Sequence, residues 1–264
     1  MDIQQQKSLN VLVVGDSCLD IYHYGTCDRL SPEAPVPVLK LSRTERKEGM
    51  TLNVKKNLES FEIEVDILTN HQTITKERFI DIKTKNHLLR FDSGEACKLK
   101  SLTLLEIQNI DYERYDAIAI VDYDKGFIDN SIATCIAKEA TERSIPLFVD
   151  SKKNDISCYN NSIIKINTAE ASNIVAFPNS YNLIVTQGDK GAYHDSVLYK
   201  SRPVEVHDVC GAGDTFFAAL IYKYIISKSY VKAIKYANEC ARITVMKSGV
   251  YALTKEDIKN VNIC

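Results

Sequence analysis

Five short runs of Val, Ile, Leu and Ala, at residues 10–14, 117–121, 146–149, 162–166 and 183–185, are mostly bounded by Gly, Asp, Asn or Pro and separated by longer stretches. They are nearly continuous rather than alternating, which suits strands covered on both faces, as in parallel sheets. Helical patterns fall between them at 51–60, 130–143, 212–227 and 230–247, the last with Val231, Ile234, Ala237, Ala241 and Val245 along one stripe. Strand and helix in alternation predict an α/β fold, a doubly wound and mostly parallel sheet with helices on both faces. Ligands of such sheets sit beyond the carboxyl ends of the strands, where Asp16, Asp122, Asp150, Asn167 and Gln187 are expected. Residues 36–41, 63–68 and 78–91 follow a different rule, alternating polar and apolar with period two. They predict a small antiparallel sheet beside the main one, a lid with strands contributed by about 18–41 and 76–92. No repeat or linker divides the chain, so residues 1–264 are read as one domain.

Charge narrows the partners. Thirty-three Lys and Arg against 35 Asp and Glu leave a net charge of −2, with no overall basic field to hold nucleic acid or an anionic membrane. The apolar run at 216–226 is interrupted by Lys223 and too short to cross a bilayer, and residues 1–10 are polar; a cytoplasmic protein is expected. The eight cysteines form no CxxC or zinc spacing and are read as reduced thiols. Glycine is scarce, ten in 264 residues, and several stand at strand ends or helix starts, where a backbone approaches a ligand closely.

The densest such place is Asp208-Val-Cys-Gly-Ala-Gly-Asp-Thr-Phe216, which follows a strand-like stretch and opens an apolar helix. Glycines before a helix let successive N–H groups point outward, and the helix dipole adds partial positive charge there. Asp214 then sits beside an anion cradle, placed to take a proton from an attacking hydroxyl while the cradle stabilises a phosphoryl group in transfer. The alternative is that Asp214 and Thr215 simply favour a helix N-terminus.

The whole string resembles the C-terminal signature of the ribokinase-like (PfkB) carbohydrate kinases. That resemblance implies Asp214 as catalytic base and Gly211, Ala212 and Gly213 as the anion hole. Asn167-Thr-Ala-Glu170 matches the family's Asn-x-x-Glu, which implies that Asn167 and Glu170 order Mg²⁺ and phosphate; alone, the same spacing is an ordinary helix start. Val13 to Gly25, then Arg29-Leu-Ser-Pro-Glu-Ala-Pro-Val-Pro-Val38, are similar to the branch that phosphorylates the anomeric hydroxyl of D-glycero-β-D-manno-heptose 7-phosphate. Thr75–Arg78, Leu88–Asp92, Asp122–Gly126 and Val149–Lys152 match in the same order, so the similarity runs from Asn10 to Leu253.

Carried over by position, the resemblance implies sugar contacts at Asp20, Gly49 and Asn53, with Arg90 gripping a sugar phosphate from the lid. Asp16 has two equal readings, substrate contact or capping of its turn, and Arg90 has a second, pairing with Asp92. Lys152, Thr186, Gly188, Gly191 and Asn238 are implied at the ATP site, although an Asn in mid-helix is otherwise usually an exposed residue. The cofactors implied are ATP and Mg²⁺; the partner is a sugar or sugar phosphate, with a homodimer through the lid strands possible in the family. Two departures stand out. Glu48-Gly49 replaces a Gly-Gly, which predicts a bulky carboxylate at the sugar site, and the stretch 61–75 is several tens of residues shorter than in the heptose kinases. The family's fused nucleotidyltransferases carry His-x-Gly-His, a motif that does not occur in these 264 residues. Another ribokinase-like sugar or nucleoside kinase, or a relative that binds without turnover, are the alternatives that remain at this point.

Overall fold

In the computed structural model, residues 8–95, 99–247 and 249–261 are described. Cys97, Cys264 and most of the polar N-terminal stretch lie outside the described residues. The elements run β1 (Asn10–Gly15), β2 (Ser17–Leu30), β3 (Pro37–Met50), α1 (Thr51–Ser60), β4 (Glu64–Thr69), β5 (Thr75–Asp81) and β6 (His87–Ser93). They continue with α2 (Leu104–Gln108), β7 (Ala117–Asp122), α3 (Asn130–Glu142), β8 (Leu147–Ser151), β9 (Ser162–Asn167), α4 (Thr168–Asn173) and β10 (Tyr181–Thr186). The last are β11 (Gly191–His194), β12 (Val197–Lys200), α5 (Ala212–Ser227), α6 (Tyr230–Val245) and α7 (Lys255–Lys259).

The main sheet has the order β12-β11-β10-β9-β8-β7-β1-β4, parallel from β4 to β10 and closed by an antiparallel β10–β11–β12 edge. Its central strands divide their side chains between two cores. Val11 and Val13 of β1 with Ala117, Ala119 and Val121 of β7 face α1, α5 and α6, whereas Leu12, Val14, Ile118 and Ile120 face the opposite cluster with α3. The small β7 alanines leave room for Phe216 and Phe217 of α5, both buried. A helix buried that way is held rigidly, and its N-terminus with it.

The five apolar runs are β1, β7, β8, β9 and β10, as their pattern predicts. Residues 63–68 correct the expectation of a lid strand: β4 pairs in parallel with β1 at the edge of the main sheet. There Val65 touches one core and Leu68 the other, only in part, so an edge position produced the same alternation that a lid strand would. The lid sheet has the order β3-β2-β5-β6. Its outer pairs are antiparallel, but the central β2–β5 pair is parallel, because the chain passes through β3, α1 and β4 before it returns.

Lid register decides which side chains share a face. Asp20 stands opposite Lys47 and Lys76, Tyr22 opposite Glu45 and Arg78, and Arg78 opposite Arg90, so these residues form one surface. Glu48 pairs with Leu19, one residue out of phase, and belongs to the other surface. Among the described residues no helix is long and apolar enough to cross a membrane. Cys18, Cys27, Cys135, Cys158, Cys210 and Cys240 are free thiols.

Candidate active site

The site is assembled at the start of α5. Gly211, its N-cap residue, has φ 80°, the left-handed conformation that glycine adopts without strain. The chain therefore turns sharply into a helix whose first N–H groups have no intrahelical acceptor. A side chain at Gly211 would bring its first carbon to 3.1 Å from Asn53 Nδ2, and one at Gly213 to 3.2 Å from Lys165 Nζ. Both glycines thus let other functional groups approach the helix start.

Asp214 projects from that first turn and is 9% exposed. Burial pushes its carboxyl up to about 6, against the opposing effect of a hydrogen bond from Asn53. Asn53 Nδ2 donates to Asp214 Oδ2 at 2.6 Å, and the Tyr123 hydroxyl donates to Oδ1 at 3.4 Å. Near neutrality such a carboxylate is ionised yet basic enough to accept a proton, the property required of a general base.

A cleft of about 500 Å³ opens from Asp214 along the carboxyl ends of the strands. Gly211, Ala212, Gly213, Lys152, Asn167, Thr186, Gly188, Gly191 and Asn238 all line it, as do Tyr123, Asp150 and Lys165. Lys165 Nζ lies 2.6 Å and Lys152 Nζ 3.1 Å from the two oxygens of Asp150. Burial alone would raise Asp150, but these two ammonium groups hold it below the ordinary carboxylate range. Lys152 also meets Glu170 Oε1 at 2.5 Å. Asn238 is buried rather than exposed, its Nδ2 donating to Tyr199 O at 2.7 Å, and Val204, Val206, Val209, Ala241 and Val245 give that end an apolar wall.

Beneath the lid the picture is closed. Asp20 is 6% exposed and takes a 2.5 Å ion pair from Arg78 Nη1; Gly49 is packed so tightly that an added Cβ would collide with Asp20 and Cys18. Lys47 Nζ donates to Val250 O at 3.3 Å, which bridges the lid to the C-terminal loop. Asp16 is fully buried and accepts the backbone N–H groups of Tyr123, Lys125 and Phe127. These bonds are not the expected cap of its own turn: Asp16 holds the distant loop that carries Tyr123. Burial and the neighbouring Asp122 push Asp16 up to about 6 in spite of those bonds. Arg90 is paired with Asp92 through two bonds and its side chain is half exposed. Glu48 is exposed on the far surface of the lid, so the expected carboxylate at the sugar site is absent from it.

Asn167 and Glu170 form a capping box for α4, each side chain accepting the other's backbone N–H. Among the described residues no three His, Cys, Asp or Glu side chains gather to hold a metal. The carboxylates and carboxamide beside the cleft are nevertheless hard oxygen donors, and Mg²⁺ commonly keeps several waters and takes only one or two protein ligands with substrate phosphates. That donor set fits Mg²⁺ held largely through water and phosphate. Arg78, Lys165, Lys47 and Tyr123 join the site only through the fold. The period-two spacing of Lys76 and Arg78, on the face of Asp20, was the available signal for the first.

Known proteins support this architecture. The model of the pfkB family carbohydrate kinases matches residues 53–257. The bifunctional protein HldE of Nitratiruptor sp. is 32% identical over 302 positions, which take up 94% of this chain and 64% of that protein. HldE of Campylobacter curvus is 29% identical, over 92% of this chain and 63% of its own. The chain thus spans less than two thirds of these relatives. Because the first alignment has 302 positions but takes up only 94% of 264 residues, about fifty positions have no counterpart here. Phosphofructokinase-2 from Escherichia coli, in complex with potassium, superposes with a TM-score of 0.73 at 14% identity, over 96% of this chain and 97% of that one. Ribokinase from Arabidopsis thaliana, complexed with ribose and ATP, gives 0.70 at 14% identity over 96% and 98%. Matched over most of its length and built on the same fold, the chain belongs to the pfkB family of carbohydrate kinases.

Proposed function

We propose that this kinase uses ATP to phosphorylate a phosphorylated sugar, the anomeric hydroxyl of a heptose 7-phosphate being the first substrate to test. One observation carries the reading: Asp214 stands ionisable and buried where the left-handed Gly211 turn, the α5 N-terminus and an open cleft meet. In the proposed reaction the nucleotide fills the cleft, its base against the apolar wall beside Asn238 and its phosphates toward Lys152 and Lys165. Thr186, Gly188 and Gly191 complete the nucleotide side, and Asp20, Gly49 and Asn53 the sugar side. Asp214 accepts the hydroxyl proton as the oxygen attacks the terminal phosphorus, whose bond to the bridging oxygen breaks and releases ADP. The amides of Gly211, Ala212 and Gly213, with the α5 dipole, stabilise charge on the transferring group. Mg²⁺, when bound through Asn167 and Glu170, supplies charge neutralisation on the phosphates.

A phosphorylated acceptor is favoured by the lid surface around Asp20, which carries Lys47, Lys76, Arg78 and Arg90 against Asp20, Glu45 and Asp92. Cations in that majority suit an anionic group. The test is direct. Purified protein is offered ATP, Mg²⁺ and a panel that includes heptose 7-phosphate, fructose 6-phosphate, ribose and a nucleoside, with Asp214→Asn in parallel. Phosphorylation of a sugar phosphate by the wild type and not by the variant supports the proposal. Turnover of neutral sugars only would overturn the substrate class, and equal activity of the two proteins the base.

A further inference from the structure

Behind Asp214 runs a chain of buried side chains of which the reaction above uses only the first, Asn53. Asn53, Asn57, Thr215 and Thr244 are each no more than 1% exposed and come from three helices, α1, α5 and α6. A carboxylate oxygen only accepts, so the atom of Asn53 that lies 2.6 Å from Asp214 Oδ2 is its nitrogen. The carboxamide oxygen of Asn53 then faces back into α1, where Asn57 Nδ2 donates to it at 3.3 Å and to the Asn53 backbone carbonyl at 2.9 Å. Asn57 Oδ1 in turn accepts from Thr215 Oγ1 at 3.0 Å, and Thr244 Oγ1 lies 3.2 Å behind Thr215 Oγ1. Donor and acceptor roles are therefore determined from Asp214 through Asn53 and Asn57 to Thr215.

Asn57 is fully buried on α1 beside Val54 and Leu58 of the same helix, where an amide without partners is costly and leucine is of similar size. Its function there is directional. Without Asn57 the carboxamide oxygen of Asn53 loses its donor, and only the contact with Asp214 is left to hold the nitrogen in place. Turned over, it would present oxygen to the carboxylate, two acceptors face to face.

We propose that Asn57 is a positioning residue for phosphoryl transfer: it holds the Asn53 carboxamide with its nitrogen on Asp214 and so keeps the base in its ionised form. This rests on the reading of Asp214 as the base. The other groups that act on Asp214 are Asp150 of β8, which favours its protonation, Lys165 of β9 and Lys152, which oppose it, and the Tyr123 hydroxyl; Cys18 of β2 also faces it. The hydrogen bonds of Asn57 run to Asn53 and Thr215 and to none of these groups, so its replacement changes the donor on Asp214 and leaves the charges in place. Loss of that donor raises the pH at which Asp214 ionises, and the acid limb of activity moves up with it.

The experiment reads the carboxyl group itself. Whole protein labelled with ¹³C at the aspartate carboxyl carbon is titrated by NMR, Asp214 being identified by the resonance that disappears in Asp214→Asn. In Asn57→Leu the midpoint is expected to move up by about one pH unit, the size of a lost hydrogen bond to a charged group. The acid limb of kcat/KM for heptose 7-phosphate moves equally, with activity recovered at high pH and the KM for ATP unchanged. Thr215→Val keeps shape and volume, frees Asn57 itself, and gives a smaller shift in the same direction should the leucine variant fold poorly. Asn53→Leu combined with Asn57→Leu shifts no further than Asn53→Leu alone, because Asn57 acts through Asn53. An unmoved midpoint in either folded variant, or additive shifts in the double variant, overturns the proposal while leaving Asp214 as the base. Full activity of Asp214→Asn overturns both.

Discussion

On the main-sheet side of Asp214 the cleft is open, and Lys152, Lys165, Asn167 and Asn238 border about 500 Å³ of free space. On the lid side the equivalent groups are already satisfied by one another: Asp20 by Arg78, Asn53 by Asp214 and Asn57, and Lys47 by the Val250 carbonyl. Both sides have dense charge, but only one offers it to a ligand without rearrangement. A nucleotide can enter as the cleft stands. On the proposed reading, a sugar reaching Asp20 would have to take over at least one contact made by Arg78, whose guanidinium would then be free to meet an anionic group on the same molecule. In the proposed reaction, exchange of that kind would couple recognition of the hydroxyls to recognition of the phosphate and make the lid side the selective one.

The largest test of this contrast is at its boundary. Asp214→Asn is expected to lower kcat by about 10²–10⁴-fold, the usual worth of a general base, with little change in ATP binding measured by calorimetry. The same variant should be more stable than wild type at neutral pH. The folded state binds a proton on Asp214 up to about pH 6, while the unfolded chain releases it near 3.8. Stability is therefore lost as pH rises through that window, by at most about 3 kcal/mol. The amide does not pay this cost. Thermal unfolding should show a raised midpoint above pH 6 that converges with wild type near pH 4; a gain that grew toward acid would contradict the buried carboxyl.

Next in size is Arg78→Met. Its partner Asp20 is left buried and unpaired, so folding weakens by about 3–5 kcal/mol, and the KM for a sugar phosphate is expected to rise about 10–100-fold. The KM for ATP should stay within about twofold, the signature of a defect confined beneath the lid. Asn238→Leu is the mirror image and smaller. Loss of one hydrogen-bonding group at the apolar end of the cleft is expected to raise the KM for ATP about 5–10-fold, for a bond worth about 1 kcal/mol, with the sugar constants unmoved. If the two variants affected both substrates alike, the division of the cleft into an open and a closed half would fail.

Much of this architecture is legible along the chain because it is local. Residues 208–216 contain the turn, the helix start and the carboxylate within nine positions, and the five apolar runs are strands of the main sheet, buried on both faces except for β10, which is so only in part. What the sequence hides is phase and distance. Arg78 meets Asp20 across 58 residues, and Lys165 meets Asp150 across 15, contacts that exist only once strand register is set. Residues 63–68 show the period of a half-exposed strand without showing which sheet they edge. Asp16 reads as a polar residue at a strand end, and its three backbone partners lie more than a hundred positions away.

Glu48 is the sharpest case of hidden phase and gives the smallest expected effect. Next to Gly49 in sequence, it would be placed at the sugar site by resemblance alone. In β3, however, successive side chains point to opposite faces, and Gly49 is the residue pressed against Asp20 while Glu48 shares the outer surface with Leu19. Glu48→Gly is therefore expected to leave kcat and both KM values within about twofold, and to cost the strand about 0.5–1 kcal/mol through added backbone freedom. Gly49→Ala, one residue away, should instead raise the sugar KM sharply, because its methyl would have to displace Asp20. Steady-state kinetics of the pair checks this. A large change at 48 with tolerance at 49 would mean that β3 lies in the opposite phase, and the assignment of Asp20, Lys47 and Arg78 to one inward surface would fall with it.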